Sequence, residues 1–305
     1  MPFTTALTGT TEVNDSLITQ YDQRFLIEAT QGYIMDPLAT VKKSINGVAV
    51  QFPRFAAIAT GDELTETEDP ASVAMSDTAI TIVPKAYGKV ISVTELAMLQ
   101  SGGVVDAAAI SQIAQNAAGT KNRLATLALS ASTNILTPGG AAAADITAGQ
   151  VLDRGLIIAT YAKLKSAFAG KIGGEYALVL HPNVIADLKL AASAGSWEDV
   201  TKYSAPEGIL AGEVGRFQGF RIIENSDCKV VADGGAGAVD LYESYAVGLN
   251  GLGLGVTQDV QFVMTSNDKL NRFVNIGWKG VFGYSIVEPT AVVKLVTASS
   301  LGANA

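Results

Sequence analysis

Hydrophobic positions along this chain change their spacing several times, and each change marks an element. Leu17, Ile18, Tyr21, Phe25 and Ala29 recur at three and four residues, the stripe of an amphipathic helix that Asp15 or Ser16 can cap. Gly32 ends it, and Asp36-Pro37 prevents continuation. From Ile45 to Val93 the spacing drops to two. Val48, Val50 and Phe52 alternate on the way out, Ile80 and Ile82 on the way back, and Ile91 and Val93 follow. Pro53 and Pro84 interrupt these runs, which suits edge strands. The pattern predicts one long two-stranded hairpin with an acidic tip of Asp62, Glu63, Glu66, Glu68 and Asp69. An isolated hairpin is barely stable in water, so it must rest on another surface. Two strands of an ordinary sheet joined by a solvated acidic loop fit the same residues.

Thr94 caps a short predicted helix to Gln100, and after Gly102-Gly103 a long one runs from about Val104 to Ala131. Ile110, Ile113, Ala117, Leu124, Leu127 and Ala131 mark its face. At 1.5 Å per residue it spans roughly 42 Å, a spine more than an ordinary globular helix. Beyond the turn at Thr137-Pro138-Gly139-Gly140, a helix is expected from near Thr147 to Gly170, with Ile157, Tyr161, Leu164 and Phe168 on its stripe. A buried strand Tyr176 to Leu180, a helix Asn183 to Ala192, and strands at Gly215–Asn225 and Val239–Tyr242 come next. The stretch Phe262 to Val296 is strand-rich, with Val274, Ile276 and Trp278 alternating.

Composition narrows what such a chain can do. Charged residues make up 16% of 305, below the roughly 25% usual in soluble domains, which points to surface that faces other subunits. The net charge of −8 argues against a duplex-DNA binder, whose affinity comes from Lys and Arg on phosphates. No apolar run approaches the eighteen residues of a membrane span, and the start of the chain lacks signal-peptide character. The single cysteine, Cys228, leaves no internal disulfide and fits a reducing compartment.

Motifs for catalysis are missing from the sequence. His181 has no histidine or cysteine partner at ligand spacing, and Cys228 stands far from it, so both read as structural. Gly251, Gly253 and Gly255 sit in a run that lacks the last glycine of the dinucleotide fingerprint, and a flexible loop is expected there. The acidic tip lacks the spacing and glycine of a calcium loop. It reads as an exposed loop, kept soluble by its charge or paired with basic groups on a neighbouring subunit, for which Arg54, Lys42, Lys43, Lys121 and Arg123 are candidates on charge alone. No cofactor or metal is expected.

The order of elements, and the wording of three segments, resembles the major capsid proteins of tailed bacteriophages (the Hong Kong 97-type fold). Thr81 to Thr94 looks like the returning hairpin strand that leads into the spine, and Ala177-Leu178-Val179-Leu180-His181-Pro182-Asn183 like the strand-to-helix passage of the axial domain. Gly215-Arg216-Phe217-Gln218-Gly219-Phe220-Arg221-Ile222-Ile223-Glu224-Asn225 is the strongest match. The resemblance implies an α+β subunit in five segments: N-arm 1–45, extended β-hairpin loop 46–93, peripheral domain 94–150 with the spine helix 104–131, axial α/β domain 151–269, and peripheral C-terminal strands and tail 270–305. It implies pentamers and hexamers closing an icosahedral shell around double-stranded DNA held without sequence-specific binding, in a virion assembled in the bacterial cytoplasm.

The implied partners are copies of the chain, a portal and a decoration protein. The fold-like region starts close to Met1, so a separate scaffolding protein is expected in place of a cleaved scaffolding domain. No lysine lies between Ser44 and Pro84, so no Lys–Asn crosslink from the hairpin is expected. An encapsulin-type nanocompartment shell is the nearest alternative, and an enzyme with an unrecognised site a distant one.

Overall fold

The computed structural model describes residues 22–30, 32–44, 49–55, 58, 60–61, 63, 72–101, 104–191, 213–266 and 272–301. In chain order it contains helix α1 (22–30), strands β1 (Ala39–Lys43), β2 (Val50–Phe55), β3 (Asp77–Ile82) and β4 (Lys85–Thr94), then helices α2 (Glu95–Ser101) and α3 (Val104–Ser130). Strand β5 (Ile135–Leu136), helix α4 (Arg154–Ser166), strand β6 (Tyr176–Leu180) and helix α5 (Pro182–Leu190) follow. Seven strands come after them: β7 (Glu213–Phe217), β8 (Phe220–Glu224), β9 (Val230–Val231), β10 (Leu241–Val247), β11 (Leu252–Thr265), β12 (Phe273–Ile286) and β13 (Val292–Thr297). The expected caps Asp15 and Ser16 of the first helix lie outside the described residues.

Among the described residues the strands form three sheets. A four-stranded sheet has the order β1-β11-β12-β4, a larger one β5-β13-β10-β6-β8-β7 with β9 beside β10, and β2 pairs with β3 alone. The expected hairpin is therefore split. Val50–Phe55 pairs antiparallel with Asp77–Ile82, and beyond Val83-Pro84 the chain leaves its partner and pairs with β12 as β4. Pro84 sits at that switch, where a missing donor breaks no ladder bond.

Helix α3 ties the two larger sheets together. Its first half lays Ala109, Ile110, Ile113, Ala114 and Ala117 against Val93, Leu254, Ile276 and Trp278 of the smaller sheet. Its second half lays Ala125 and Leu129 against Ala177, Val179, Ile223 and Tyr245 of the larger one. The other face of the larger sheet, with Leu178, Phe220, Ile222 and Leu295, packs on Leu156, Ile157 and Leu164 of α4 and Val184, Ile185 and Leu188 of α5. Both β6 and β10 are buried along their whole length; β6 reads as a continuous apolar run with no alternation, whereas β10 carries Glu243 and Ser244 into the interior. Segments 151–269 and 270–305 each contribute to both larger sheets, because β11 belongs to the smaller and β13 to the larger.

Several sequence expectations are corrected. Leu127, expected on the buried face of the spine, is 61% exposed, and Lys121 and Asn122 are buried in its place. The helix expected from near Thr147 starts at Arg154. Thr147 and Gln150 close a turn first, Val151 bridges to Ala298, and Asp153 caps the helix by accepting from the Leu156 amide. The run Gly251 to Gly255 is no flexible loop, since from Leu252 onward it is buried strand. Its glycines serve close approach: a Cβ on Gly253 would stand 2.4 Å from Val287, and one on Gly255 3.1 Å from Val50. By contrast Gly219 answers a conformational demand. With Gln218 it makes the two-residue turn between β7 and β8, both at positive φ (50° and 81°).

Candidate assembly surfaces

The β2–β3 hairpin leaves the body at its root. Val50, Phe52 and Ile82 are buried with Val287, over Gly253, Gly255 and Gly283. Further out, Pro53, Phe55, Asp77, Thr78 and Ala79 are exposed. Among the described residues two polar links join it to the body: Lys42 on β1 donates to the Gln51 carbonyl (2.6 Å), and Arg54 donates twice to Glu288 (2.7 and 2.9 Å). A bidentate guanidinium–carboxylate pair fixes direction as well as distance. Glu288 is itself held by the Thr290 hydroxyl at 2.7 Å. Burial raises its carboxyl pKa, but the hydrogen bonds from Thr290 and Arg54 outweigh that and hold it below the ordinary value. Beside this bridge lies a cleft of about 670 Å3 lined by Phe52 to Phe55, Phe168, Leu249 and Glu288.

Most of the basic residues expected to meet a neighbour have partners within their own chain. Lys43 pairs with Asp259 at 2.6 Å, both well exposed, a contact that adds little stability. Lys121 is buried. Its ammonium meets Asp36 and lies 4.2 Å from the centre of the Tyr33 ring, while the Tyr284 hydroxyl donates to the same Asp36 carboxylate. Burial, with Asp36 nearby, pushes the Tyr33 phenol up to about 12. Asn122 completes the grip: its Oδ1 accepts from the Ile34 and Met35 amides and its Nδ2 donates to the Gly32 carbonyl. Together these fasten the strap 32–38 to the spine. Arg123 stays exposed, as does Glu63. Asp62, Glu66, Glu68 and Asp69 lie outside the described residues. Asp36, Asp259 and Glu288 were not legible as partners, since each pairs with a residue far along the chain.

Apolar side chains also reach solvent in groups. Helix α2 buries none of its residues, and Leu96 and Leu99 are 64% and 73% exposed. Phe168, just past α4 at positive φ, is 95% exposed, and Phe55 and Leu249 line the same cleft. Large exposed apolar groups of this kind mark contact surfaces. Among the described residues no group of His, Cys, Asp and Glu could hold a metal ion, and no helix is long and apolar enough to cross a membrane.

The family model described as phage capsid protein matches residues 77–295. The chain belongs to the phage capsid protein family. No curated protein matches it in sequence. Among solved structures, the capsid of Ralstonia phage GP4 is 12% identical with a TM-score of 0.67, over 86% of this chain and 87% of that one. The cyanophage Pam1 capsid is 13% identical with a TM-score of 0.64, over 88% and 92%. A virus-like particle from Pyrococcus furiosus is 14% identical with a TM-score of 0.54, over 92% and 99%. At such identities the likeness is one of fold. This α+β capsid protein shares that fold along most of its length, so it is a structural component of a phage shell.

Proposed function

We propose that the chain is the major capsid protein of a tailed bacteriophage, tiling as pentamers and hexamers into an icosahedral shell around double-stranded DNA. The observation that carries this reading is the hairpin, which projects from the body with its outer residues unburied although a free hairpin has little stability of its own. In an assembled shell it lies on a neighbouring copy, where its exposed residues and those of α2 are covered. Arg123, Glu63 and the rest of the acidic tip are the candidates for charge pairing there, with Arg54, Lys42 and Lys43 at the hairpin's root. Lys121 takes part only if its contact with Asp36 opens.

Contacts of modest strength suffice, because each subunit touches several others and association entropy offsets much of each contact. Weak contacts also let misplaced subunits leave before closure. A net charge of −8 keeps the lining from gripping duplex tightly, which helps packing and ejection. A scaffolding protein, a portal and a decoration protein are the expected partners, and the host cytoplasm the place of assembly. The family match favours a virion over an encapsulin-type compartment.

The test is electron microscopy of the expressed protein, alone and with the proteins co-expressed from its own genome. Icosahedral shells, or free pentamers and hexamers, are expected. A discrete monomer at high concentration under every condition would overturn the reading, and shells that carry enzyme cargo in place of DNA would move it to the compartment class.

A further inference from the structure

From the geometry at the hairpin's root we infer that the Arg54–Glu288 pair is a clamp that sets the hairpin's angle to the body, and that the cleft beside it is the space into which the hairpin swings when the clamp opens. Among the described residues, the buried apolar contact between hairpin and body is made by Val50, Phe52 and Ile82, with Ile80 partly buried beside them, all on the root half of the pair of strands. The three buried side chains rest on glycines, and a surface without side chains offers little to resist rotation. Arg54 is the outermost described residue of the hairpin with a polar link to the body. Pro53, immediately before it, is paired across the hairpin with Ala79 and has no amide proton to offer. On the body side Glu288 is anchored by Thr290 and by the short turn Pro289–Ala291 that it caps, so it is a fixed post for a moving arm. The cleft beside the bridge, about 670 Å3, is open and holds Phe168, Leu249 and Asn250 on the body side, opposite Pro53 and Phe55.

The apolar root, with the Lys42–Gln51 contact beside it, and the ion pair further out define the direction of the hairpin. Removing one leaves a hinge. This device is internal to one subunit and stands whether or not the chain builds a shell.

The experiment uses the unassembled full chain with spin labels on cysteines at Thr78→Cys on the hairpin and Ser166→Cys at the end of α4. Both sites are exposed, whereas Cys228 is buried. Electron–electron distance distributions are compared for the labelled chain, for Arg54→Glu, for Glu288→Arg, and for the double exchange. One dominant narrow distance, with a minor second population, is expected in the labelled chain. Each single variant raises the minor population by up to about fivefold, the factor for a partly exposed ion pair, and the double exchange restores the narrow distribution. Circular dichroism confirms that each variant folds, and Glu288→Gln replaces any that does not. Narrow, unchanged distributions in both single variants would overturn the clamp, as would a double exchange no narrower than either. Where shells form, the single variants are also expected to give a wider spread of particle diameters, a readout that fails separately if the coat reading fails.

Discussion

Single residues carry two sharply testable consequences. Asn122 satisfies three main-chain groups of the strap 32–38, two amides and a carbonyl, from inside the core. Asn122→Ala leaves those groups without partners, at a cost of about 1–3 kcal/mol for each one that water cannot reach. Denaturant unfolding of the unassembled chain should show a loss of that order, and hydrogen exchange should rise first at Ile34 and Met35. His181 works differently. Its neutral Nδ1 accepts from the Asn183 amide and so caps α5, with the ring 4.9 Å from that of Tyr242. Burial lowers its pKa from 6.5 and the nearby Glu224 only partly opposes this. A folded-state value below the unfolded one means the cap's contribution is complete above pH 6.5 and is lost as the pH falls towards the folded value. His181→Asn keeps a good cap without a titrating group, so its stability should be level just below pH 6.5 where the parent's declines. As the chain has one histidine, equal slopes in both would remove the assignment.

At the scale of elements, what the sequence revealed depended on how local the cause was. The spine, the hairpin strands and β6 were legible because each carries its own period or apolar run, written in adjacent residues. β11 was not. Gly251, Gly253 and Gly255 read as a loop because glycine is the commonest loop signal, yet here it clears room for Val50, Ile82 and Val287. The sites that decide this lie elsewhere in the chain, beyond any local window. The same reason hid the role of Lys121, whose charge reads as surface until Tyr33, Asp36 and Tyr284 close over it. Packing at Gly253 can be checked directly. Gly253→Ala brings a methyl to 2.4 Å from Val287, where a branched side chain cannot turn away. A loss of about 1–3 kcal/mol is expected in unfolding, as for overpacked cores. A loop at this position would tolerate the substitution, and no change in midpoint would contradict the packing described.

For the whole molecule, the position of its lysines limits how a shell of these subunits can be locked. An isopeptide bond between subunits needs a lysine amine within bonding reach of an asparagine or aspartate on another copy. Among the described residues the hairpin is a part of the chain that leaves its own body, and from Ser44 to Pro84 the sequence has no lysine. The lysines that flank it are engaged or lie back on the sheet: Lys42 holds the Gln51 carbonyl, Lys43 pairs with Asp259, and Lys85 is in the strand paired with β12. Cohesion between subunits is then expected from surface burial and charge pairing, which detergent and heat reverse. Mature particles boiled in detergent should run as one band at the size of a single subunit. A ladder of dimers and higher multiples would show a covalent lock supplied from the body, and mass spectrometry of the joined peptides would name the lysine. Because an uncrosslinked shell is held by many weak contacts, its particles should also release free capsomers in moderate denaturant, before the subunits themselves unfold.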